Sequence, residues 1–140
     1  MTKDELIELA FKAQKNSYAP YSNFHVGACV LCKDGKYFFG ANIENASYGA
    51  AMCAERNAIF GAYSNGYRKD DIEALAIVSD GFRIAAPCGI CRQVLCELID
   101  KDVPIYLATK TEQVTKTIAE LLPMAFNNED LGKWSVDLLR

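Results

Sequence analysis

Residues 72–79, Ile-Glu-Ala-Leu-Ala-Ile-Val-Ser, form a nearly continuous apolar run of strand length. A run of this kind is typical of a strand that is covered on both faces, as in the parallel part of a sheet. Segments with helical features lie before and after it, at residues 53–63 and 88–99. A second apolar strand is predicted at residues 103–109. This alternation of helices and strands predicts an α/β fold in which the central strands are parallel.

The remaining segments extend the same fold toward both ends of the chain. Thr2 and Glu5 form a capping box that begins an N-terminal helix, which is predicted to end near Tyr18. Further elements are predicted as strands at 26–32, 37–44 and 113–116 and a hairpin turn at 33–35. A last helix is predicted to begin at a second capping box, formed by Thr117 and Glu120. Residues 1–140 are therefore predicted to form a single domain. Its architecture is a three-layer α-β-α sandwich around one mixed sheet of about five strands.

The composition indicates a globular protein without a polynucleotide or membrane partner. Hydrophobic residues make up 51% of the chain, charged residues 24%, and the net charge is −3 at pH 7. Because such a chain offers no basic field to a phosphate backbone, we expect a small neutral substrate. No apolar run approaches the roughly 20 residues that span a bilayer. The segment Met1-Thr2-Lys3-Asp4-Glu5 lacks the apolar core of a signal peptide. We therefore expect a soluble, cytoplasmic protein.

Two short motifs contain the candidate catalytic residues. They are Cys53-Ala54-Glu55 and Pro87-Cys88-Gly89-Ile90-Cys91, and their first cysteines lie 35 residues apart. This combination matches the signature of zinc deaminases, H-x-E followed by P-C-x-x-C, with Cys in place of the His. It predicts one zinc ion per chain, held by Cys53, Cys88 and Cys91, with a fourth position left for water. Glu55 is then a non-ligand acid and base.

The predicted helix starts favour thiolates at these positions. Helix N-termini carry partial positive charge, which lowers the pKa of a thiol. Arg56 follows Cys53 by three residues on the same helical face, so it is predicted to donate hydrogen bonds to a thiolate and to offset the charge of a Cys₃ site. The chemistry expected is attack by a zinc-activated water on C4 of a cytosine ring. Glu55 would protonate N3 and carry a proton to the departing amine.

The other cysteines and the single histidine are predicted to have structural roles. Cys29 and Cys32 form a second Cys-x-x-Cys, but within a strand residues three apart face opposite sides of the sheet, which favours core positions. Cys96 is also predicted to be a core residue. His25 has no partner motif and is expected to be structural or exposed. Trp134 is interpreted either as a packing anchor against a neighbouring chain or as a surface residue.

Five blocks of sequence resemble the small homotetrameric cytidine deaminases, the nucleoside branch of the zinc deaminases. They are Tyr18-Ala19-Pro20-Tyr21-Ser22-Asn23-Phe24, Asn42-Ile43-Glu44-Asn45-Ala46-Ser47-Tyr48, Cys53-Ala54-Glu55-Arg56, Pro87-Cys88-Gly89-Ile90-Cys91-Arg92-Gln93 and Glu120-Leu121-Leu122-Pro123-Met124-Ala125-Phe126. The blocks occur in matching order over nearly the whole chain. The resemblance implies hydrolytic deamination of cytidine and 2′-deoxycytidine to uridine and 2′-deoxyuridine with release of ammonia, in pyrimidine salvage.

The resemblance also implies roles for residues outside the zinc motifs. Asn42 and Glu44 are expected to hydrogen-bond the ribose hydroxyls, Phe24 to pack on the pyrimidine ring, and the backbone around Ala54 to contact the cytosine edge. In the homotetramer of this family, neighbouring subunits complete each site. The residues expected to contribute in this way are Ala46, Tyr48 and Phe126.

Four other functions are weighed against this interpretation. A blasticidin-S deaminase shares the zinc motifs but lacks the Asn42-Ile43-Glu44-Asn45 pattern, and a polynucleotide editor is disfavoured by the net charge and by Cys53 as first ligand. A non-catalytic zinc scaffold would need a fourth protein ligand. Thiol-disulfide exchange through Cys88 and Cys91 would be lost with oxidants rather than with chelators. The preference between cytidine and 2′-deoxycytidine is not resolved by the sequence.

Overall fold

Five strands form one mixed sheet in the structure, a computed structural model that describes residues 1–131. In chain order they are β1 (Val26–Cys32), β2 (Tyr37–Ala41), β3 (Ile72–Ser79), β4 (Ile105–Ala108) and β5 (Gln113–Lys116). Their order across the sheet is β2-β1-β3-β4-β5. The strand predicted from the apolar run is therefore the central one, and of its residues only Glu73 is exposed.

Within residues 1–131, a single pair of neighbouring strands is parallel, so the prediction of parallel central strands is only partly correct. β3 and β4 run parallel, with Leu75 opposite Ile105. β1 pairs antiparallel with both β2 and β3, and β4 pairs antiparallel with β5. An apolar run does not distinguish these cases, because a strand covered by helices on both faces is apolar whichever way its neighbours run.

Four α-helices cover the two faces of the sheet in the described part of the chain. They are α1 (Lys3–Gln14), α2 (Ala54–Ser64), α3 (Gly89–Leu98) and α4 (Ile118–Leu121). α1 packs on one face, where Leu6 lies in the same buried cluster as Cys29. The other three helices pack on the opposite face, where Ile59 and Leu95 share a cluster with Leu75. The predicted three-layer sandwich is thus confirmed. None of the helices described is long and apolar enough to span a membrane.

The start of α2 lies close against β2 because residue 40 has no side chain. A Cβ at Gly40 would lie 2.2 Å from the carbonyl oxygen of Ala54, far inside van der Waals contact. The side chain of Asn57 adds a polar connection, since its Nδ2 donates to the carbonyl oxygen of Ala41 at 2.8 Å. These contacts fix the position of the helix end that carries Cys53.

Several elements are shorter than predicted from the sequence, and the difference has a structural reason. α1 ends at Gln14 rather than near Tyr18, β2 ends at Ala41 rather than at residue 44, and β4 is shorter than 103–109. After Ala41 the chain leaves β1, and Ile43 instead forms isolated bridges with Tyr18 and Met52. These bridges place the segments around residues 18 and 43 side by side at the edge of the candidate site. Both capping boxes, at Thr2 and Thr117, are confirmed.

The cysteines outside the zinc motifs lie in or beside the core. Cys29 and Cys32 are fully buried on opposite faces of the sheet, as predicted. Cys96 is half-buried and packs against the core on the face of α3. Trp134 lies outside the described residues.

Candidate active site

Three thiols meet where the N-termini of α2 and α3 converge on the same face of the sheet. Cys53 is the N-cap residue of α2, Cys88 is the N-cap residue of α3, and Cys91 lies in the first turn of α3. The Sγ atoms of Cys53 and Cys88 are 3.8 Å apart, those of Cys88 and Cys91 are 3.5 Å apart, and all three lie within 4.8 Å of one another. Thiolates bound to tetrahedral zinc at 2.3 Å lie about 3.8 Å apart. The spacing of the three thiols therefore fits a zinc ion.

The protons of these thiols are distributed unevenly. A hydrogen bond from Cys91, with further hydrogen bonds from Arg56 and Cys88, lowers the pKa of Cys53 to about 5 although burial opposes this. The same contact with the Cys53 thiolate, together with burial, raises the pKa of Cys91. The contact between Cys53 and Cys91 thus favours the thiolate on Cys53. Binding a divalent metal ion requires the other thiols to lose their protons.

Arg56 contacts the thiolate as the helical spacing predicts. Its Nη2 donates to the Sγ of Cys53 at 3.5 Å. Its Nε is buried and has no hydrogen-bond partner within residues 1–131. A guanidinium held against the thiols places positive charge beside a site that would otherwise be strongly negative. The role of charge compensation predicted for Arg56 remains a prediction, and the contact supports it.

Glu55 is buried beside the thiols. Its side chain is 5% exposed, and burial is the main reason why its pKa rises to about 7. The negative charge of Cys53 raises this pKa further. A carboxyl group whose pKa lies near neutrality can both accept and donate a proton at physiological pH. Glu55 therefore has the protonation behaviour that its predicted role requires.

A cavity of about 200 Å³ connects these groups to the residues expected to bind substrate. Its lining includes seven of the residues that were predicted to form the site: Phe24, Asn42, Glu44, Cys53, Ala54, Glu55 and Cys88. The thiols of Cys53 and Cys88 and the carboxyl of Glu55 line this cavity together with the Asn42 amide and the Glu44 carboxylate. One concave site thus combines a metal cluster, an acid and base, an aromatic ring and two polar side chains.

Comparison with known proteins identifies the family to which the chain belongs. Residues 1–107 match the family described as the cytidine and deoxycytidylate deaminase zinc-binding region. The matched region covers more than half of the chain and contains both cysteine motifs. The chain belongs to the cytidine and deoxycytidylate deaminase family. Zinc, predicted from the two motifs, is the cofactor of this family's site, and the three converging thiols of the deaminase fold are positioned to bind it.

Individual relatives agree over almost the whole chain. The chain is 49% identical over 133 residues to a cytidine deaminase of Halalkalibacterium halodurans, covering 94% of this chain and 99% of the relative. It is 44% identical over 133 residues to a cytidine deaminase of Sporosarcina psychrophila, covering 94% and 96%. The crystal structure of a cytidine deaminase from Burkholderia pseudomallei superposes with a TM-score of 0.87 at 46% identity, covering 90% of this chain and all of that one. The predicted deaminase fold is therefore confirmed.

Most hydrogen-bonding positions of the Asn42 amide are occupied within the deaminase site. Its Oδ1 accepts from the backbone N–H of Val26 at 2.9 Å and from the hydroxyl of Ser17 at 2.5 Å. Its Nδ2 donates to the carbonyl oxygen of Phe24 at 2.8 Å. An amide has two N–H donors, so one N–H of Asn42 remains for a ligand.

The Glu44 carboxylate is held in a similar way. Its Oε1 accepts from the backbone N–H groups of Tyr21 and Ser22 at 2.9 and 3.1 Å, and its Oε2 accepts from the Ser22 hydroxyl. The hydrogen bond from the Ser22 side chain is the main reason why the pKa of Glu44 is lowered. A carboxylate offers about four lone-pair positions, so one position on Oε2 remains for a ligand.

The residues expected from neighbouring subunits do not line the cavity of their own chain. Ala46 is exposed, and the side chains of Tyr48 and Phe126 are 77% and 59% exposed. Tyr48 packs edge-to-face against Tyr21 with 6.1 Å between ring centroids, and the carbonyl oxygen of Phe126 accepts from the Gln93 side chain at 2.7 Å. Their predicted contribution to another subunit's site stays a prediction.

Some residues of the site were not identified from the sequence. Ser22 binds Glu44, and Ile77, Ala85 and Ala86 line the cavity. Ser22 lies inside the block of residues 18–24 that carries the family resemblance, which is the signal that could have identified it. Ile77 lies on the apolar strand β3 and the two alanines lie in the loop after it, and nothing in their residue types indicates a site.

Proposed function

We propose that the protein hydrolyses the C4 amino group of cytidine and 2′-deoxycytidine, giving uridine or 2′-deoxyuridine and ammonia. The observation that carries this proposal is the buried carboxyl of Glu55 beside a cluster of three thiols, at a cavity of about 200 Å³. The relatives named cytidine deaminases, which match nearly the entire chain, support the choice of substrate.

The metal ion and the Glu55 side chain have different tasks in the proposed mechanism. When bound, zinc polarises a water molecule so that it becomes a nucleophile at neutral pH. Glu55 takes the proton that the attacking water gives up and places it on N3 of the ring as the C4–O bond forms. It then carries the second proton of that water to the amine as the C4–N4 bond breaks. Its pKa of about 7 allows it to alternate between these two states.

The cytosine ring is expected to lie between Phe24 and the start of α2. An aromatic side chain contacts the flat face of any pyrimidine favourably. Ala54 is the first residue of α2, so its backbone N–H has no partner within the helix and can donate to the ring carbonyl oxygen. The carbonyl oxygen of cytosine is an acceptor, which supports this orientation.

The hydrogen-bonding positions that Asn42 and Glu44 leave for the sugar explain why both nucleosides are proposed as substrates. Asn42 has one N–H donor left and Glu44 has one acceptor position left. A single hydroxyl group accepts one hydrogen bond and donates one, so it satisfies both residues. Because one sugar hydroxyl is enough, we propose that loss of the 2′-hydroxyl is tolerated.

We also propose a homotetramer in which Ala46, Tyr48 and Phe126 complete the site of a neighbouring subunit. The exposure of Tyr48 and Phe126, and of the fully exposed Met124, supports this assembly, because single-chain proteins seldom expose such a group of large apolar side chains. Deamination also benefits from the exclusion of bulk water, which the small single-chain cavity does not provide alone.

Shared sites can be tested by co-expressing Glu55→Gln and Phe126→Ala protomers. Each variant alone should be impaired, whereas mixed tetramers should regain part of the activity, since some sites receive an intact Glu55 and an intact Phe126. A monomer that is fully active at assay concentration, or mixed assemblies that recover nothing, would contradict the proposal of shared sites.

The alternative functions are less well supported. A structural zinc scaffold needs four protein ligands, and the cluster found within residues 1–131 has three. Thiol-disulfide exchange gives no task to Glu55 or to the polar residues that line the cavity. We propose a cytoplasmic location and a role in pyrimidine salvage, because free thiolate ligands suit a reducing compartment.

The direct test incubates the purified protein with cytidine and follows the ultraviolet change as uridine forms. The expected result is turnover that disappears with a chelator and returns with Zn²⁺. The Glu55→Gln variant should be nearly inactive with its zinc retained. No conversion of cytidine by the zinc-loaded protein would contradict the proposed function.

A further inference from the structure

Three polar side chains, those of His25, Ser17 and Asn42, form an unbroken hydrogen-bonded chain beside the cavity. The His25 Nδ1 lies 2.9 Å from the Ser17 hydroxyl oxygen, and that oxygen lies 2.5 Å from the Asn42 Oδ1. All three side chains are half-buried. Asn42 lines the cavity, whereas Ser17 and His25 do not. His25 was predicted from the sequence to be structural or exposed. In the structure the Ser17 hydroxyl connects it to Asn42, a residue expected to bind the substrate.

The direction of each hydrogen bond in this chain is determined by its neighbours. The Val26 N–H can only donate and the Phe24 carbonyl can only accept, so they fix which end of the Asn42 amide is Oδ1. The Ser17 hydroxyl must therefore donate its proton to Oδ1. Its oxygen is then left to accept from His25, which requires the imidazole proton to be on Nδ1. The same direction holds whether the ring is neutral or protonated.

The backbone of His25 is held on both sides, so the ring is fixed relative to Ser17. Its N–H donates to the Asp80 carboxylate at 3.1 Å, and its carbonyl oxygen accepts from the Gln14 side chain at 2.9 Å. The contacts involve α1, the end of β3 and the loop before β1. The backbone of His25 is therefore held to α1 and to the end of β3.

We propose that His25 and Ser17 are positioning residues that orient and polarise the Asn42 amide for the sugar of the substrate. With Oδ1 accepting two hydrogen bonds and one N–H bound to Phe24, the free N–H has one fixed direction. Hydrogen bonds in a chain strengthen one another, so donation into Oδ1 makes the free N–H a better donor. This inference rests on the proposed function, because it assumes that Asn42 binds a nucleoside sugar.

The kinetic test compares cytidine with 2′,3′-dideoxycytidine, which has the same base but lacks the 2′- and 3′-hydroxyls of the sugar. Ser17→Ala should lower kcat/KM for cytidine about three- to tenfold, mainly through KM, and leave kcat/KM for the dideoxy compound unchanged. Ser17→Thr keeps the hydroxyl and should restore the preference for cytidine. Ser64→Ala, at an exposed serine at the end of α2, is the matched control and should change neither substrate.

A double-mutant cycle tests whether the two residues act as one unit. His25→Phe keeps an aromatic ring but removes both ring nitrogens. Either change interrupts the series of hydrogen bonds from His25 to Asn42. The double variant should therefore lose no more preference for cytidine than Ser17→Ala alone. Additive losses, or an unchanged ratio between the two substrates in Ser17→Ala, would overturn the proposal.

A measurement independent of activity completes the test. The protein has one histidine, so ¹⁵N NMR of protein without a histidine tag reports its tautomer directly. The expected result is a ring that carries a proton on Nδ1, whereas a ring protonated at Nε2 alone would overturn the proposal. If the wild-type protein did not deaminate cytidine, the proposed function would fail, and the tautomer would still decide whether the hydrogen-bonded chain exists. An active wild type with an unchanged Ser17→Ala ratio would instead overturn the positioning role alone.

Discussion

Two segments of this chain share the spacing Cys-x-x-Cys, but only one of them brings its two thiols together. Cys29 and Cys32 lie in the middle and at the end of β1, where they face the two sides of the sheet, and burial raises their pKa values to about 12 and 11. Cys88 and Cys91 begin α3 and lie within reach of Cys53, whose pKa is lowered to about 5 by hydrogen bonds from Cys91 and Arg56.

The difference shows that spacing alone does not make a metal site. In a strand, residues three apart face opposite sides, so the two thiols cannot bind one ion. In the first turn of a helix the same spacing brings the Sγ atoms of Cys88 and Cys91 to 3.5 Å, close enough to bind one ion.

The strongest test removes one thiol from each segment. Cys91→Ala should lose tightly bound zinc and all measurable turnover, because two thiols and water do not complete a stable site. Cys29→Ala should keep one zinc per chain and near-normal turnover. Elemental analysis and the cytidine assay check both variants. Loss of zinc from Cys29→Ala, or its retention in Cys91→Ala, would break the contrast.

The next test separates the metal from the proton transfer. Glu55→Gln should keep zinc and fold while kcat falls roughly 10²–10⁴-fold, since an amide can hydrogen-bond but cannot shuttle protons. Glu97→Gln, at an exposed carboxylate of α3, is the matched control and should leave kcat unchanged. Near-normal turnover of Glu55→Gln would show that the buried carboxyl is not the acid and base.

A smaller effect is expected at the part of the site that does not contact the metal. Glu44→Ala should raise KM for cytidine roughly tenfold to a hundredfold, because a sugar hydroxyl would lose a charged partner. Zinc content and kcat should change little. The exposed carboxylate of Glu112 provides the control Glu112→Ala. If free cytosine and cytidine were turned over equally by the wild type, Glu44 would have no role in sugar binding.

The smallest effect concerns the stability of the thiols in the core. Cys29→Ala leaves a small cavity in a fully buried position and should lower the free energy of unfolding by about 1 kcal/mol. Urea denaturation of the zinc-loaded protein measures this change. A change close to zero would indicate that the strand thiols contribute little to packing.

The sequence predicts most elements but not their partners. The apolar run at 72–79 gives the exact bounds of β3, and both capping boxes are found where the residue types place them. These are local signals. The antiparallel pairing of β1 with β3 and the early end of β2 depend on contacts between distant segments, which residue patterns do not encode.

The candidate site likewise contains residues that local patterns predict and contacts between distant segments that they do not. The zinc ligands are identified because their spacing and type are restrictive, and Arg56 because it shares a helical turn with Cys53. The partners of Asn42 are separated from it by up to 25 residues in sequence, as with Ser17, so no local pattern predicts them. The contact between the His25 ring and Ser17 depends on the same tertiary network.

The most direct measurement of the central claim is X-ray absorption at the zinc edge of the purified protein. One zinc per chain is expected, with three sulfur neighbours near 2.3 Å and one nitrogen or oxygen neighbour, as for three helix-end thiolates and a water molecule. Four sulfur neighbours would mean that a further cysteine, such as one from β1, binds the metal. A shell without sulfur would mean that the helix-end thiols do not bind it, and either result would contradict the account.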